Sequence, residues 1–127
     1  MTTRTAPTKR KVKKLPYMLE DGVQRNKQHP DTFYIPSQEE RTSLQVGDVA
    51  KLVFLYRESD VICGGERMWV LITKVQDDGY EGTLDNKPFM ADVLHFGEVV
   101  RFKPEHVIDC QTKAEMAAVQ QAIAAKN

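Results

Sequence analysis

The chain has 127 residues, 41% hydrophobic and 28% charged, enough for one domain of ordinary size whose core needs no disulfide or metal staple. No apolar run approaches the roughly 18 residues that span a membrane, and no apolar stretch follows the charged N-terminus as it would in a secretory leader, so the expectation is a cytoplasmic protein with no membrane partner. The formal charge of zero hides an asymmetry: residues 1–30 carry eight Lys/Arg against two Asp/Glu, and residues 31–127 carry ten against sixteen.

Residues 1–16 read as a disordered basic arm. Arg4, Lys9, Arg10, Lys11, Lys13 and Lys14 occur there without an acid, and so little apolar surface does not offset the entropy of ordering. Over residues 17–28 the pattern is weak, with Tyr17, Met18, Leu19 and Val23 as packing candidates and a turn at Asp21-Gly22. Residues 32–35 are β-prone and short. Ser37 and Glu40 fit a capping box that starts one or two helical turns over 37–44.

A turn at Gly47-Asp48 leads into residues 49–56, apolar on both faces except at Lys51. That pattern belongs to a central strand or a barrel wall. Val61-Ile62-Cys63 reads as a short strand or a packed loop before Gly64-Gly65. Residues 66–75 form the clearest strand, rich in β-branched and aromatic residues. Asp77-Asp78-Gly79 signals a hairpin, and residues 80–85 alternate and pair back antiparallel. Gly82 inside that run marks a bulge or a close backbone approach.

The loop over 86–96 contains Phe89, Met90, Val93, Leu94 and Phe96. So many apolar residues suggest packing on the core; left exposed, they would serve a partner. Residues 99–102 are a further strand, 103–106 a single helical turn, and 107–109 a last short strand. Thr112 and Glu115 form a second capping box, opening an Ala-rich helix to about Ala125. Met116, Val119 and Ile123 give it one narrow stripe, by which it docks or frays.

These elements predict a mainly β fold with flanking helices (α+β). The arm covers 1–16, the β-domain 17–111 and the C-terminal helix 112–127. The expected architecture is a small SH3-like, partly open antiparallel barrel; the alternative is an antiparallel sheet covered by the C-terminal helix.

Candidate chemistry is sparse. His29, His95 and His106 lack metal-ligand spacing, although His95 and His106 would meet Cys63 or Cys110 if the fold converged there. Asp77, Asp78, Asp85 and Asp109 lie at turns or strand ends, where turn chemistry explains them. Neither Ser37 nor Ser43 sits in a nucleophile elbow, and Gly64-Gly65 lacks the Lys-Ser/Thr of a phosphate loop. Cys63 and Cys110 read as reduced thiols, with a bridge between strand ends as the alternative. No catalytic residue, metal or cofactor is expected.

Two features point to binding. Arg67 and Trp69 share one face of their strand. Exposed, they offer cation and aromatic together, as single-stranded nucleic acid or a peptide groove requires; otherwise Trp69 is core and Arg67 covers its edge, which is the plainer expectation. The arm, through Lys9, Arg10, Lys11, Lys13 and Lys14, suits phosphate backbones; as a plain solubilising tail it would bind nothing.

Several strings carry a family resemblance. They are His29-Pro30-Asp31-Thr32-Phe33, Gly47-Asp48 with the strand after it, Gly65-Glu66-Arg67-Met68-Trp69-Val70, Gly82 with Leu84-Asp85-Asn86, and Gly97-Glu98-Val99-Val100. From residue 29 to 109 the chain resembles the bacterial DUF2314 family, which includes YegJ-like proteins. The resemblance implies a bacterial or phage-borne cytoplasmic protein and no reaction. The functional expectation is a non-enzymatic binding or adaptor module for a protein partner, through Arg67, Trp69, Asn86, Lys87 and Phe89. In a phage gene, an inhibitor of a host defence system is one concrete form. The alternative is a nucleic-acid-associated protein anchored by its basic arm.

Overall fold

The computed structural model describes residues 15–90 and 93–126. Its elements run β1 (Tyr17–Leu19), α1 (Gly22–Gln28), α2 (Gln38–Thr42), β2 (Val49–Glu58), β3 (Val61–Gln76), β4 (Gly79–Leu84), β5 (Val99–Phe102), a 3-10 turn (Pro104–His106), β6 (Asp109–Gln111) and α3 (Lys113–Ala125). The fold is mainly β with flanking helices. Its antiparallel sheet has the order β1-β2-β3-β4-β5, with β6 on β2, and curls into a half-barrel.

β2 is the central strand that its two-sided apolarity predicts. One edge pairs with β3 along ten positions. The other is shared end to end by β6, opposite Val49 to Lys51, and β1, opposite Phe54 to Tyr56. Period-two alternation then divides its side chains. Ala50, Leu52, Phe54 and Tyr56 enter the main core with Met68, Val70 and Ile72 of β3, Tyr80 and Leu84 of β4, and Val100 and Phe102 of β5. Val53 and Leu55 face outward into a second, smaller core with Phe33, Ile35 and Ile108. Residues 32–35 therefore form no strand; they lie as irregular chain over the outer face of β2, with Phe33 buried.

Other local readings shift for tertiary reasons. The 61–63 and 66–75 segments are one strand of 16 residues, not two elements. The Asp21-Gly22 turn is the start of α1: the Asp21 carboxylate accepts from the Gln24 amide, and Gly22 is buried against Ile108. The last strand is Asp109–Gln111, after the buried Val107 and Ile108. Both capping boxes form, at Ser37/Glu40 and Thr112/Glu115.

α3 does not cover the sheet. None of its residues is buried, and Val119 and Ile123 are exposed, so the alternative architecture does not occur. The helix is held at its first turn. Buried Asp48 accepts from the Gln45 amide at 2.7 Å and the Lys113 amide at 2.8 Å, joining the turn before β2 to the start of α3. Buried Arg41 donates to the Pro36 and Pro104 carbonyls and ties α2 to the 3-10 turn.

Of the arm expected over 1–16, residues 1–14 lie outside the described residues. Leu15 and Pro16 are tied down: their carbonyls accept from the Arg57 side chain and amide, both at 3.0 Å. Among the described residues no helix is long and apolar enough to cross a membrane.

Candidate functional site

The site is built on the unequal lengths of β3 and β4. β4 pairs with β3 only from Val70 to Gln76, leaving the earlier part of β3 without a strand partner on that side. The chain leaving β4 covers this edge with single polar groups instead. The Asp85 amide donates to the Trp69 carbonyl at 2.9 Å, and the Asn86 side-chain oxygen accepts from the Trp69 amide at 2.6 Å. Further on, the Glu66 carboxylate accepts from the Phe89 amide at 2.9 Å, the Met90 amide at 2.6 Å and the Tyr56 hydroxyl at 3.0 Å.

Burial pushes the Glu66 carboxyl up, but the bonds from the Phe89 and Met90 amides and from Tyr56 outweigh it and hold it below its ordinary value. Burial, with Glu66 beside it, raises the Tyr56 phenol. A charged acceptor thus fixes two consecutive backbone amides on the β3 edge. The Phe89 ring is 94% exposed, and Met90, Val93 and Phe96 are exposed with it. Among the described residues of the loop only Leu94 enters the core, at 2% exposure, which corrects the expectation that this loop packs.

The expected partner-binding residues therefore divide. Asn86 and Phe89 belong to this loop, and Lys87 is exposed between them. Arg67 and Trp69 lie on the outer face of the sheet. The Arg67 guanidinium sits 5.5 Å from the centroid of the Phe33 ring, whose other cationic neighbour is Arg25 at 5.0 Å. Trp69 is half-buried on that outer face, outside the main core, with the Lys51 ammonium 5.5 Å from its ring. The reading of Trp69 as core is thereby corrected. Lys9, Arg10, Lys11, Lys13 and Lys14 lie outside the described residues.

Sequence reasoning missed Glu66. Its signal was an acid in register with Met68, Val70 and Ile72, the inward-facing positions of β3.

The remaining candidates have local roles. Exposed His95 pairs with Glu98 at 3.2 Å. The His106 ring accepts from the Lys103 amide at 2.9 Å, and burial lowers its pKa. His29 caps α1, Ser37 caps α2, and the Ser43 hydroxyl donates to the Glu39 carbonyl. Asp109 accepts from the Cys110 amide. Both cysteines are free. Cys63 is exposed; burial, with the Glu40, Asp109, Glu115 and Asp48 carboxylates nearby, pushes the Cys110 thiol up to about 11. Among the described residues no group of three or more His, Cys, Asp or Glu side chains is placed to hold a metal ion.

Comparison with protein families, with curated proteins and with solved structures finds no match. The expected resemblance to DUF2314 is neither supported nor contradicted by these comparisons.

Proposed function

We propose that this protein is a non-enzymatic binding module that engages a protein partner through the 86–96 loop, with Phe89 as its anchor. The observation that carries the reading is the pairing of a 94% exposed aromatic ring with a backbone fixed by Glu66. Aromatic side chains that need no ordering on binding supply much of the affinity of protein interfaces. Met90, Val93 and Phe96 of the same loop are exposed and add apolar surface, and Lys87 adds an exposed charge beside them.

The test is capture from the native cell with full-length wild-type protein and Phe89→Ala. Wild type retains a stoichiometric protein, and the variant loses it by about thirtyfold, the effect of a hot-spot truncation near 2 kcal/mol. Thermal unfolding stays unchanged, because the ring contributes little burial. Recovery of no stoichiometric partner by wild type, or equal recovery by both, overturns the proposal.

A further inference from the structure

Cationic and aromatic side chains also meet on the outer face of the sheet, apart from the exposed Phe89 ring. Lys51 of β2 is paired across with Trp69 of β3, and Arg67 lies two residues before Trp69 on the same face. Both cations line a cleft of about 200 Å³, walled by Phe33, Tyr34 and Asp109. Among the described residues, neither has a carboxylate within ion-pair distance. Their contacts are aromatic: the Arg67 guanidinium lies over Phe33, and Lys51 lies over Trp69. A guanidinium against an aromatic ring keeps N–H donors for a ligand.

Asp109 is the one acid lining the cleft, and one of its carboxylate oxygens is taken by the Cys110 amide. Residues 31–127 have a net excess of six acids, so two unpaired cations side by side are a local inversion of charge.

Tyr34 gives the cleft a second kind of recognition. Its ring is 74% exposed, and its hydroxyl donates to the Asp31 carbonyl at 2.6 Å, which holds the ring in one pose. It walls both the cationic cleft and an adjoining one of about 340 Å³ lined by Ile35, Pro36 and Glu40. Phosphate-binding cations next to a fixed, open aromatic ring are the pairing that unpaired nucleotides use. A duplex keeps its bases stacked and has none to offer Tyr34, whereas an acidic peptide would satisfy the cations and leave the ring unused. The six Lys/Arg of residues 1–14 add attraction for a polyanion on the same chain. We infer that the outer face of the sheet binds single-stranded nucleic acid, Arg67 and Lys51 taking a backbone phosphate and Tyr34 stacking a base.

Trp69 is the sole tryptophan of the chain and lies beside Lys51, so its emission reads this face. The full chain is titrated at several salt concentrations with twelve-nucleotide oligo-U and oligo-dT, a twelve-base-pair duplex and a poly-Glu peptide. Trp69 emission is followed together with the anisotropy of fluorescein-labelled strands. A saturable emission change is expected with single strands. Arg67→Ala and Tyr34→Ala each weaken it about tenfold, and Asp109→Asn tightens it at low salt. Arg67→Ala also flattens the log affinity against log salt slope by roughly 0.7, one phosphate contact on a single strand.

Both truncated side chains are exposed, and matching urea midpoints establish that the variants fold. The inference is overturned by an absence of binding at 50 mM salt, or by anisotropy changes that leave Trp69 emission and both variants unaffected, which is binding by the arm alone. Tighter binding of the duplex or of the acidic peptide overturns it equally.

Discussion

Replacing Glu66 tests whether one carboxylate holds the 86–96 loop in place. Oε2 accepts from the Met90 amide and the Tyr56 hydroxyl, while Oε1 takes the shorter of two contacts from the Phe89 amide, the longer being 3.2 Å to Oε2. Glutamine keeps one oxygen. Placed at the Oε2 position it retains Met90 and Tyr56, but its –NH2 then faces the Phe89 N–H, donor against donor, so that bond is lost with the charge, a cost of about 1 kcal/mol. Alanine removes every contact. A hydrogen bond to a charged group contributes about 1.5–3 kcal/mol when buried, but the two amides are exposed and water replaces much of that, so roughly 2–3 kcal/mol in total is expected. Amide hydrogen exchange by NMR separates local from global effects. Phe89 and Met90 should exchange about fivefold faster in Glu66→Gln and about 30- to 150-fold faster in Glu66→Ala, with the Leu52 and Val70 amides of the core nearly unchanged. Equal acceleration at all four positions would show that Glu66 supports the whole sheet. No acceleration at Phe89 and Met90 would show that it does not hold the loop. Acid should mimic the substitution: the folded pKa of Glu66 lies below its ordinary value near 4.5, so the anchoring is fully present above that value and is lost as pH falls through the folded one.

Gly82→Ala should destabilise the fold by at least about 3 kcal/mol in urea unfolding, because a Cβ there lands on the Leu71 carbonyl oxygen with Val70 Cγ1 at 2.7 Å, and backbone of the neighbouring strand has nowhere to move; a wild-type midpoint would remove the close approach from the account. Iodoacetamide at pH 8 should modify exposed Cys63 and spare Cys110, whose thiol is held near 11, until denaturant is added, as peptide mass spectrometry reads directly; equal labelling of both in the native protein contradicts the burial of Cys110. His106 has a folded pKa lowered by burial from an ordinary value of 6.5, so the unfolded chain binds more protons in that window and stability falls as pH drops through 6.5. The loss in urea stability between pH 7.5 and 5.5 should therefore be smaller in His106→Asn than in wild type, and identical losses would assign the pH dependence elsewhere.

What could be read from the sequence was what depends on neighbours in the chain. Ser37 and Thr112 each find their partner three residues on, and both capping boxes form. The Asp77-Asp78-Gly79 turn forms where its residues signal it, although Gly79 is needed also because a Cβ there would meet the Phe102 carbonyl oxygen at 2.5 Å. The long β3 was not legible, because Gly64-Gly65 normally interrupts a strand. Here Gly65 is needed where β2 comes close, a Cβ standing 3.0 Å from the Phe54 carbonyl oxygen, and Met90 of the distant loop lies over Gly64. Residues 32–35 have strand composition, yet Phe33 and Ile35 serve as a lid on β2, a role set by Val53, Leu55 and Ile108. At the candidate site, the Arg67 and Trp69 face followed from period two, whereas Tyr34 and Lys51 joined it only through folding.

The 86–96 loop is where composition misled most, and the reason bears on its use. Burying a Phe side chain stabilises a fold by about 1.5–3 kcal/mol, so an apolar loop ordinarily collapses onto the core. Here the geometry opposes collapse at three points. Asn86 continues the β3 ladder with its side chain, Glu66 takes the Phe89 and Met90 amides along the same strand edge, and Leu94 is the loop's core residue among those described. From Asn86 to Met90 the chain is bonded to the β3 edge, and the Phe89 ring faces away from the main core. Glu66 occupies an inward-facing position that in Met68, Val70 and Ile72 carries an apolar side chain. A fold selected for stability alone would place a hydrophobic residue there and let Phe89 turn inward. The acid at position 66 and the exposed ring at 89 are therefore one arrangement, and under the proposed function a partner taking the ring would recover the burial energy that the isolated chain forgoes.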